Sequence, residues 1–203
     1  MFYVSQHSYA MKIHCFLFLF AILSTFQLNA RQPGGNSALL VIDMQDEFTR
    51  HTLDNARATT LISNVNESIA LLRPMKVIFV KADIRMLTIS LKGIKTESSE
   101  HTDLDGRLDR REEDLVLTKH ESSALTLEEL NSLLEEHQIG HLYLAGVFLG
   151  QCLTNTALHA QEEGYNVTVI REAVAARNQK KSDKFLKKLE ARGIGVIQLS
   201  NLH

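Results

Sequence analysis

Three side chains stand out as able to do nucleophilic chemistry together: Asp43, Lys119 and Cys152, each lying at or just beyond the end of a short apolar run. Cys152 stands where the run His141 to Gly146 hands over to a helix beginning near Leu153, so its thiol faces unpaired backbone N–H groups and the positive end of the helix dipole. Both features favour a thiolate and are expected to lower the thiol pKa. Asp43 is suited to take the thiol proton and return it to a leaving amine, provided desolvation or a nearby thiolate raises its pKa. Lys119 supplies positive charge that favours the thiolate and keeps the carboxylate oriented. Backbone N–H groups within Phe148 to Cys152 can hold a developing oxyanion, where one donor is typically worth about 2.7 to 4 kcal/mol of barrier. Taken singly, these residues have plainer readings as a small buried hydrophobe, a turn residue and a surface charge. The case rests on their convergence.

The elements that would bring them together follow from hydrophobic patterning. Ala38 to Met44 is apolar apart from Asp43 and shows no alternation, which fits a strand buried on both faces of a parallel sheet. Similar runs recur at Lys76–Val80, Leu115–Thr118, Leu142–Ala145, Val167–Ile170 and Gly195–Leu199. Between them lie helical patterns. Leu61, Ile62, Val65, Ile69 and Leu72 form one stripe, stopped by Pro74. Thr126 is expected to cap a helix over 126–137, with Glu129 completing a capping box and Leu127, Leu130, Leu133 and Leu134 facing the core. A third helix runs from about Leu153 to Glu163 before Gly164, and a fourth from Ser182 to Ala191 before Gly193. Alternating strands and helices predict a three-layer α/β/α domain with a mainly parallel, open six-stranded sheet. In such a sheet ligands bind beyond the carboxyl ends of the strands, where all three reactive residues fall. Residues 82–114 are polar, lack periodicity and read as a functional or solvated loop.

Residues 1–30 read as a secretory signal peptide: Lys12 precedes an apolar run, and the small-residue end Leu28-Asn29-Ala30 offers a cut site. The apolar run is short for a membrane span, and a retained anchor is the alternative. Residues 31–37 read as a linker and 38–203 as one domain. Of 22 basic side chains one is Lys12, so the remainder sets 21 against 24 acidic ones, with no dense basic stripe. This argues against nucleic acid as a partner. After cleavage only Cys152 remains of two cysteines, so no intramolecular disulfide can form.

The stretches Ala38-Leu-Leu-Val-Ile-Asp43-Met-Gln-Asp-Glu-Phe48, Leu117-Thr-Lys119-His-Glu-Ser-Ser-Ala124 and Gly146-Val-Phe-Leu-Gly-Gln-Cys152-Leu-Thr-Asn-Thr-Ala157-Leu-His-Ala160 occur in that order, followed by Gly164-Tyr-Asn-Val-Thr-Val. Together they resemble the isochorismatase-like cysteine hydrolases, the superfamily that includes nicotinamidases. The resemblance implies a triad of Asp43, Lys119 and Cys152, a thioester acyl-enzyme, and a non-proline cis peptide at Val147-Phe148 that aims the amides of Phe148 and Cys152 at the oxyanion. Gln45, Phe48, His120 and Phe148 are expected to meet a small-molecule substrate.

Departures from that pattern qualify the expectation. Leu149 and Leu125 replace a threonine and an aromatic of the family, which predicts a reshaped pocket. Nicotinamidases hold a metal through an Asp-x-His motif and a further His, and the stretch His51 to Ala56 has no such pattern, so neither metal nor other cofactor is expected. His101, His120, His137, His141 and His159 show no paired ligand spacing. Arg85, Lys92 and Arg107 read as solvated surface, or else as contacts for an anionic substrate. The retained Cys152 favours a small amide or related acyl substrate. Isochorismate hydrolysis and a catalytically idle binding protein are the alternatives. Homo-oligomers are common in the family, while no stable membrane association is expected after signal cleavage.

Overall fold

The computed structural model describes residues 36–83, 85–90, 93–98 and 103–202, with backbone only for 85–90 and 93–98. The signal peptide expected at 1–30 lies outside these residues. The domain is three-layered, and its six strands are all parallel, in the order β5-β2-β1-β6-β7-β8. They are β1 (Asn36–Ile42), β2 (Lys76–Ala82), β5 (Leu115–Lys119), β6 (Ile139–Leu149), β7 (Asn166–Ala176) and β8 (Gly195–Ile197). β1 takes in the last two residues of the expected linker.

Residues Ala38 to Ile42 are fully buried, as an unalternating apolar run requires. Alternate β1 side chains serve two separate cores. Ala38, Leu40 and Ile42 pack with Leu117, Leu144 and Val169 under α3 (Glu128–Glu136), α4 (Cys152–Glu162) and α5 (Ser182–Glu190). Leu39 and Val41 pack with Phe79, Ala145 and Ile170 against α2 (Asn55–Leu72), near the short α1 (Asp46–His51). α2 starts earlier than its apolar stripe suggests because Asp54 caps it, accepting from the Arg57 amide at 2.9 Å. Among the described residues no helix is long and apolar enough to cross a membrane.

Two expectations need correction. Thr126 caps no α-helix: Ser123 accepts from the Leu125 amide at 3.2 Å and opens a short 3-10 turn over Ala124–Thr126, after which α3 starts at Glu128 without a side-chain cap. Residues 82–114 are not all loop. β3 (Arg85–Ser90) and β4 (Gly93–Ser98) pair antiparallel as a separate hairpin, with Leu87 opposite Thr96 and Ile89 opposite Ile94.

The segment after the hairpin returns to the end of β1. The Asp46 amide donates to the Asp103 carbonyl at 3.1 Å and the Asp105 amide to the Met44 carbonyl at 2.9 Å. Asp105 is thereby sealed at 0 % side-chain exposure, taking Arg107 Nε at 2.9 Å, Arg107 Nη2 at 2.6 Å and the Thr49 hydroxyl at 2.5 Å. Arg107 is thus committed to this pair, which replaces its reading as free surface charge. The Arg107 bonds hold the Asp105 carboxyl well below the usual carboxylate range, against the opposing cost of its burial.

Asp105→Ala is expected to cost about 3 kcal/mol, the low end for breaking a buried pair, because Arg107 is 40 % exposed and solvent-screened. A depressed folded pKa contributes stability that is present above the unfolded value of about 3.9 and disappears as pH falls through the folded value. Urea unfolding of wild type and variant should therefore differ fully at pH 7, with the difference starting to shrink below about pH 4 and lost only as pH falls through the folded value. Equal midpoints at pH 7 would refute this.

Candidate active site

In strand order β5-β2-β1-β6-β7-β8, chain direction across the sheet reverses between β1 and β6. A crevice opens at such a switch point, beyond the carboxyl ends of the strands. Asp43 leaves β1 and Cys152 opens α4 just after β6, so the two flank that crevice. Lys119 is the last residue of β5, level with Ala82 of β2.

The three predicted residues meet. Lys119 Nζ lies 3.2 Å from Asp43 Oδ2, with side-chain exposures of 0 % and 3 %. The Cys152 thiol lies near enough for both to act on its proton affinity. Lys119 Nζ also donates to the Glu121 carbonyl at 3.2 Å, so the ammonium is fixed from two directions. Asp43 Oδ1 is buried without a conventional hydrogen-bond partner, which leaves it able to receive a proton.

Local backbone explains the placement. Asp43 has φ 53°, a left-handed value that few non-glycine residues adopt and that turns its carboxylate off the strand line. Its amide is retained by the Val80 carbonyl at 2.8 Å. Gly146 makes room for the turn, because a Cβ there would stand 2.1 Å from the Ile42 carbonyl oxygen. The Val147–Phe148 peptide is cis, as the resemblance implies. Cys152 is the first residue of α4, where backbone N–H groups have no intrahelical partner.

Protonation differs from the sequence expectation. Burial of the thiol and then the Asp43 carboxylate beside it push Cys152 up to about 11, outweighing the pull of Lys119. Burial raises Asp43 as well, against the attraction of Lys119. The sulfur is therefore protonated at neutral pH, beside an Asp43 carboxyl of increased proton affinity. A helix terminus acts over its first turn only, and here a buried anion in contact is the stronger neighbour.

The expected substrate contacts divide. Phe48 and Phe148 meet edge to face with centroids 5.7 Å apart and pack with the core on the α2 side. Gln45 is a correction: it is buried, its Oε1 accepts from the Ala82 amide at 2.7 Å and its Nε2 donates to the Ala82 carbonyl at 3.1 Å. It clamps β1 to β2 in place of touching substrate. His120 is 69 % exposed with Nδ1 3.5 Å from Asp83 Oδ2, at the rim. Leu149 and Leu125 are buried in the apolar core beneath α3, α4 and α5, so the changes of residue type fall in packing behind the site. His141 is structural: it bonds the Thr168 hydroxyl at 2.9 Å and stacks on Tyr143. Sequence reading missed Arg177, whose guanidinium lies 4.7 Å over the Phe148 ring.

The residues at the stretch tested for a metal do not fit one. Asp54 is occupied as a helix cap, and among the described residues no three His, Cys, Asp or Glu side chains gather as ligands.

The family model described as the isochorismatase domain matches residues 37–200. The chain belongs to the isochorismatase domain family. A "probable inactive nicotinamidase" of Arabidopsis thaliana is 28 % identical to this isochorismatase-like hydrolase over 159 residues, covering 70 % of this chain and 81 % of the relative. An uncharacterized isochorismatase family protein of Bacillus subtilis (strain 168) is 40 % identical over 63 residues, 31 % of this chain, and that match spans 34 % of the relative's own length. Among solved structures, N-carbamoylsarcosine amidase from Thermoplasma acidophilum superimposes with a TM-score of 0.68 at 22 % identity, covering 83 % of this chain and 99 % of that one. At that identity the likeness is one of fold.

Proposed function

We propose that this isochorismatase-like hydrolase cleaves a small amide through a covalent intermediate on Cys152. The observation that carries the reading is the buried Asp43–Lys119 pair, with Lys119 Nζ 3.2 Å from Asp43 Oδ2, beside the half-buried Cys152 thiol whose proton affinity both residues shift.

In the first half-reaction Asp43 takes the thiol proton as sulfur attacks the carbonyl carbon, and the carbonyl oxygen becomes an oxyanion facing the amides of Phe148 and Cys152. Collapse of that intermediate breaks the C–N bond. Asp43 returns its proton to the departing nitrogen, releasing ammonia or an amine and leaving a thioester. Water then attacks the thioester with Asp43 again as base, which regenerates the thiol and releases a carboxylic acid. Lys119 holds the carboxylate in place and offsets negative charge as it moves between sulfur and oxygen. The raised proton affinity of Asp43 suits this role, since a stronger base takes the thiol proton more readily.

A panel of primary amides with ammonia detection tests the proposal, coupled to intact-mass measurement after rapid acid quench. Ammonia release with an acyl mass increment on the peptide containing Cys152 is the expected result. Turnover without any adduct on Cys152 would overturn the covalent step, and no turnover across the panel would favour an idle binding scaffold. We also propose that residues 1–30 direct export, for which N-terminal sequencing of protein recovered outside the cell is the check.

A further inference from the structure

We propose that Arg177 is the positioning residue of the turn carrying the oxyanion amides, acting as a planar brace between its two ends; this rests on the hydrolase reading above. The turn runs from Phe148 to Cys152, and the Arg177 guanidinium touches it twice. Its carbon sits 4.7 Å above the Phe148 ring centroid, and its Nε donates to Gln151 Oε1 at 2.9 Å. Phe148 supplies one candidate oxyanion amide, and Gln151 immediately precedes Cys152, which supplies the other. One rigid group thereby sets the separation of both donors.

The brace is anchored. Arg57, in the first turn of α2, donates from Nη2 to the Ala176 carbonyl at 2.7 Å and to Gln179 Oε1 at 3.1 Å, and from Nη1 to the Arg177 carbonyl at 3.3 Å. Phe48 also packs on the Phe148 ring, edge to face with centroids 5.7 Å apart. In the middle of the turn Gly150 has φ +82°, and a Cβ there would stand 2.4 Å from the Phe185 ring, so α5 presses directly on that backbone. The Gly150 amide is taken by Thr154 Oγ1 at 2.8 Å, which leaves it turned away from the reacting carbonyl. An arginine is required because a planar fork can stack on a ring and direct a hydrogen bond at once, whereas a lysine ammonium supplies charge without that plane.

Arg177→Ala and Arg177→Lys are compared with wild type, in kinetics on whichever panel amide is turned over and in a substrate-independent assay. In the second assay benzaldehyde adds reversibly to Cys152: an S–C bond forms, the S–H bond breaks, and the proton ends on the former carbonyl oxygen, which occupies the oxyanion position. The adduct shields the sulfur from iodoacetamide. We expect Arg177→Ala to lower kcat by about 10- to 100-fold with KM within about twofold, since misplacement by about 1 Å costs on the order of a hundredfold. Benzaldehyde protection should weaken by about tenfold, with the alkylation rate of the unprotected thiol and Tm nearly unchanged. Arg177→Lys should behave like Arg177→Ala. Gln151→Ala, which cuts one arm only, should give part of the loss and combine non-additively with Arg177→Ala.

Rescue by Arg177→Lys would overturn the brace in favour of charge, and a raised KM with unchanged kcat would overturn it in favour of substrate binding. Equal benzaldehyde protection in wild type and Arg177→Ala, or none in either, would also overturn it. If no amide is turned over while the benzaldehyde difference holds, the hydrolase reading fails and the brace stands.

Discussion

Asp43→Asn is expected to abolish amide turnover while making Cys152 more reactive towards iodoacetamide, two effects of opposite direction from one substitution. Removing the proton acceptor should lower kcat by about 10⁴-fold or more, the scale seen when the carboxylate of a catalytic triad is replaced. The same carboxylate raises the thiol pKa by its charge and its hydrogen bond, so its loss should bring the thiol down from about 11. Alkylation at pH 8 should then be faster in the variant. In wild type the alkylation rate should still be climbing with pH well above 8. Cys152→Ala should match the turnover loss, on the order of 10⁶-fold by analogy with nucleophile removal elsewhere, and should not be alkylated at this site. A wild-type alkylation profile that levels off below pH 8, or slower alkylation of Asp43→Asn, would replace proton transfer during attack with a standing thiolate.

Lys119→Met carries the largest expected stability effect. Met roughly preserves the volume of the lysine stem but leaves Asp43, at 3 % side-chain exposure, without its cation. Stranding one partner of a buried pair costs about 3–5 kcal/mol, and at roughly 2–4 °C per kcal/mol for a domain of this size the fall in Tm is on the order of 10 °C. The pH dependence identifies the cause. Burial already raises Asp43, and loss of Lys119 removes the attraction that lowers it. A carboxyl whose folded pKa is raised favours the native state below its unfolded value of about 3.9, and that contribution is lost as pH rises through the folded pKa. The deficit of Lys119→Met relative to wild type should therefore be greatest near neutrality, shrink as pH falls through the raised folded pKa and be smallest below about pH 4. Adding Asp43→Asn should recover much of the Tm at pH 7 while activity stays absent. A single variant as stable as wild type at pH 7 would show that the pair does not bear on folding.

Much of the fold was legible because buried parallel strands announce themselves as unbroken apolar runs, as Ala38 to Ile42 and Val77 to Val80 do. The same runs located Asp43, Lys119 and Cys152, since each lies at or just beyond the end of one. What escaped detection depended on contacts distant in sequence. Asp105 sits in a charged stretch and is buried only because its segment returns to Met44 and Thr49. Arg177 follows a strand that continues through the polar pair Arg171 and Glu172 to Ala176, past the point where the apolar pattern stops at Ile170. The direction of the thiol shift was misjudged for the same reason. A helix end can be read from neighbouring residues, whereas the burial and the carboxylate that outweigh it come from 109 positions away. Thr126 looked like a cap because its spacing to Glu129 was right, yet Ser123 had already turned the chain.

The segment between β2 and residue 103 is tied down at both of its exits: the Asp83 amide bonds the Lys119 carbonyl at 2.8 Å, and the Asp105 amide bonds the Met44 carbonyl at 2.9 Å. Substitutions within β3 and β4 are therefore expected to be absorbed between two fixed posts without strain reaching Asp43 and Lys119. Such a layout separates two evolutionary tasks. One part of the chain can drift towards new chemistry of recognition while the hydrolytic apparatus is inherited unaltered.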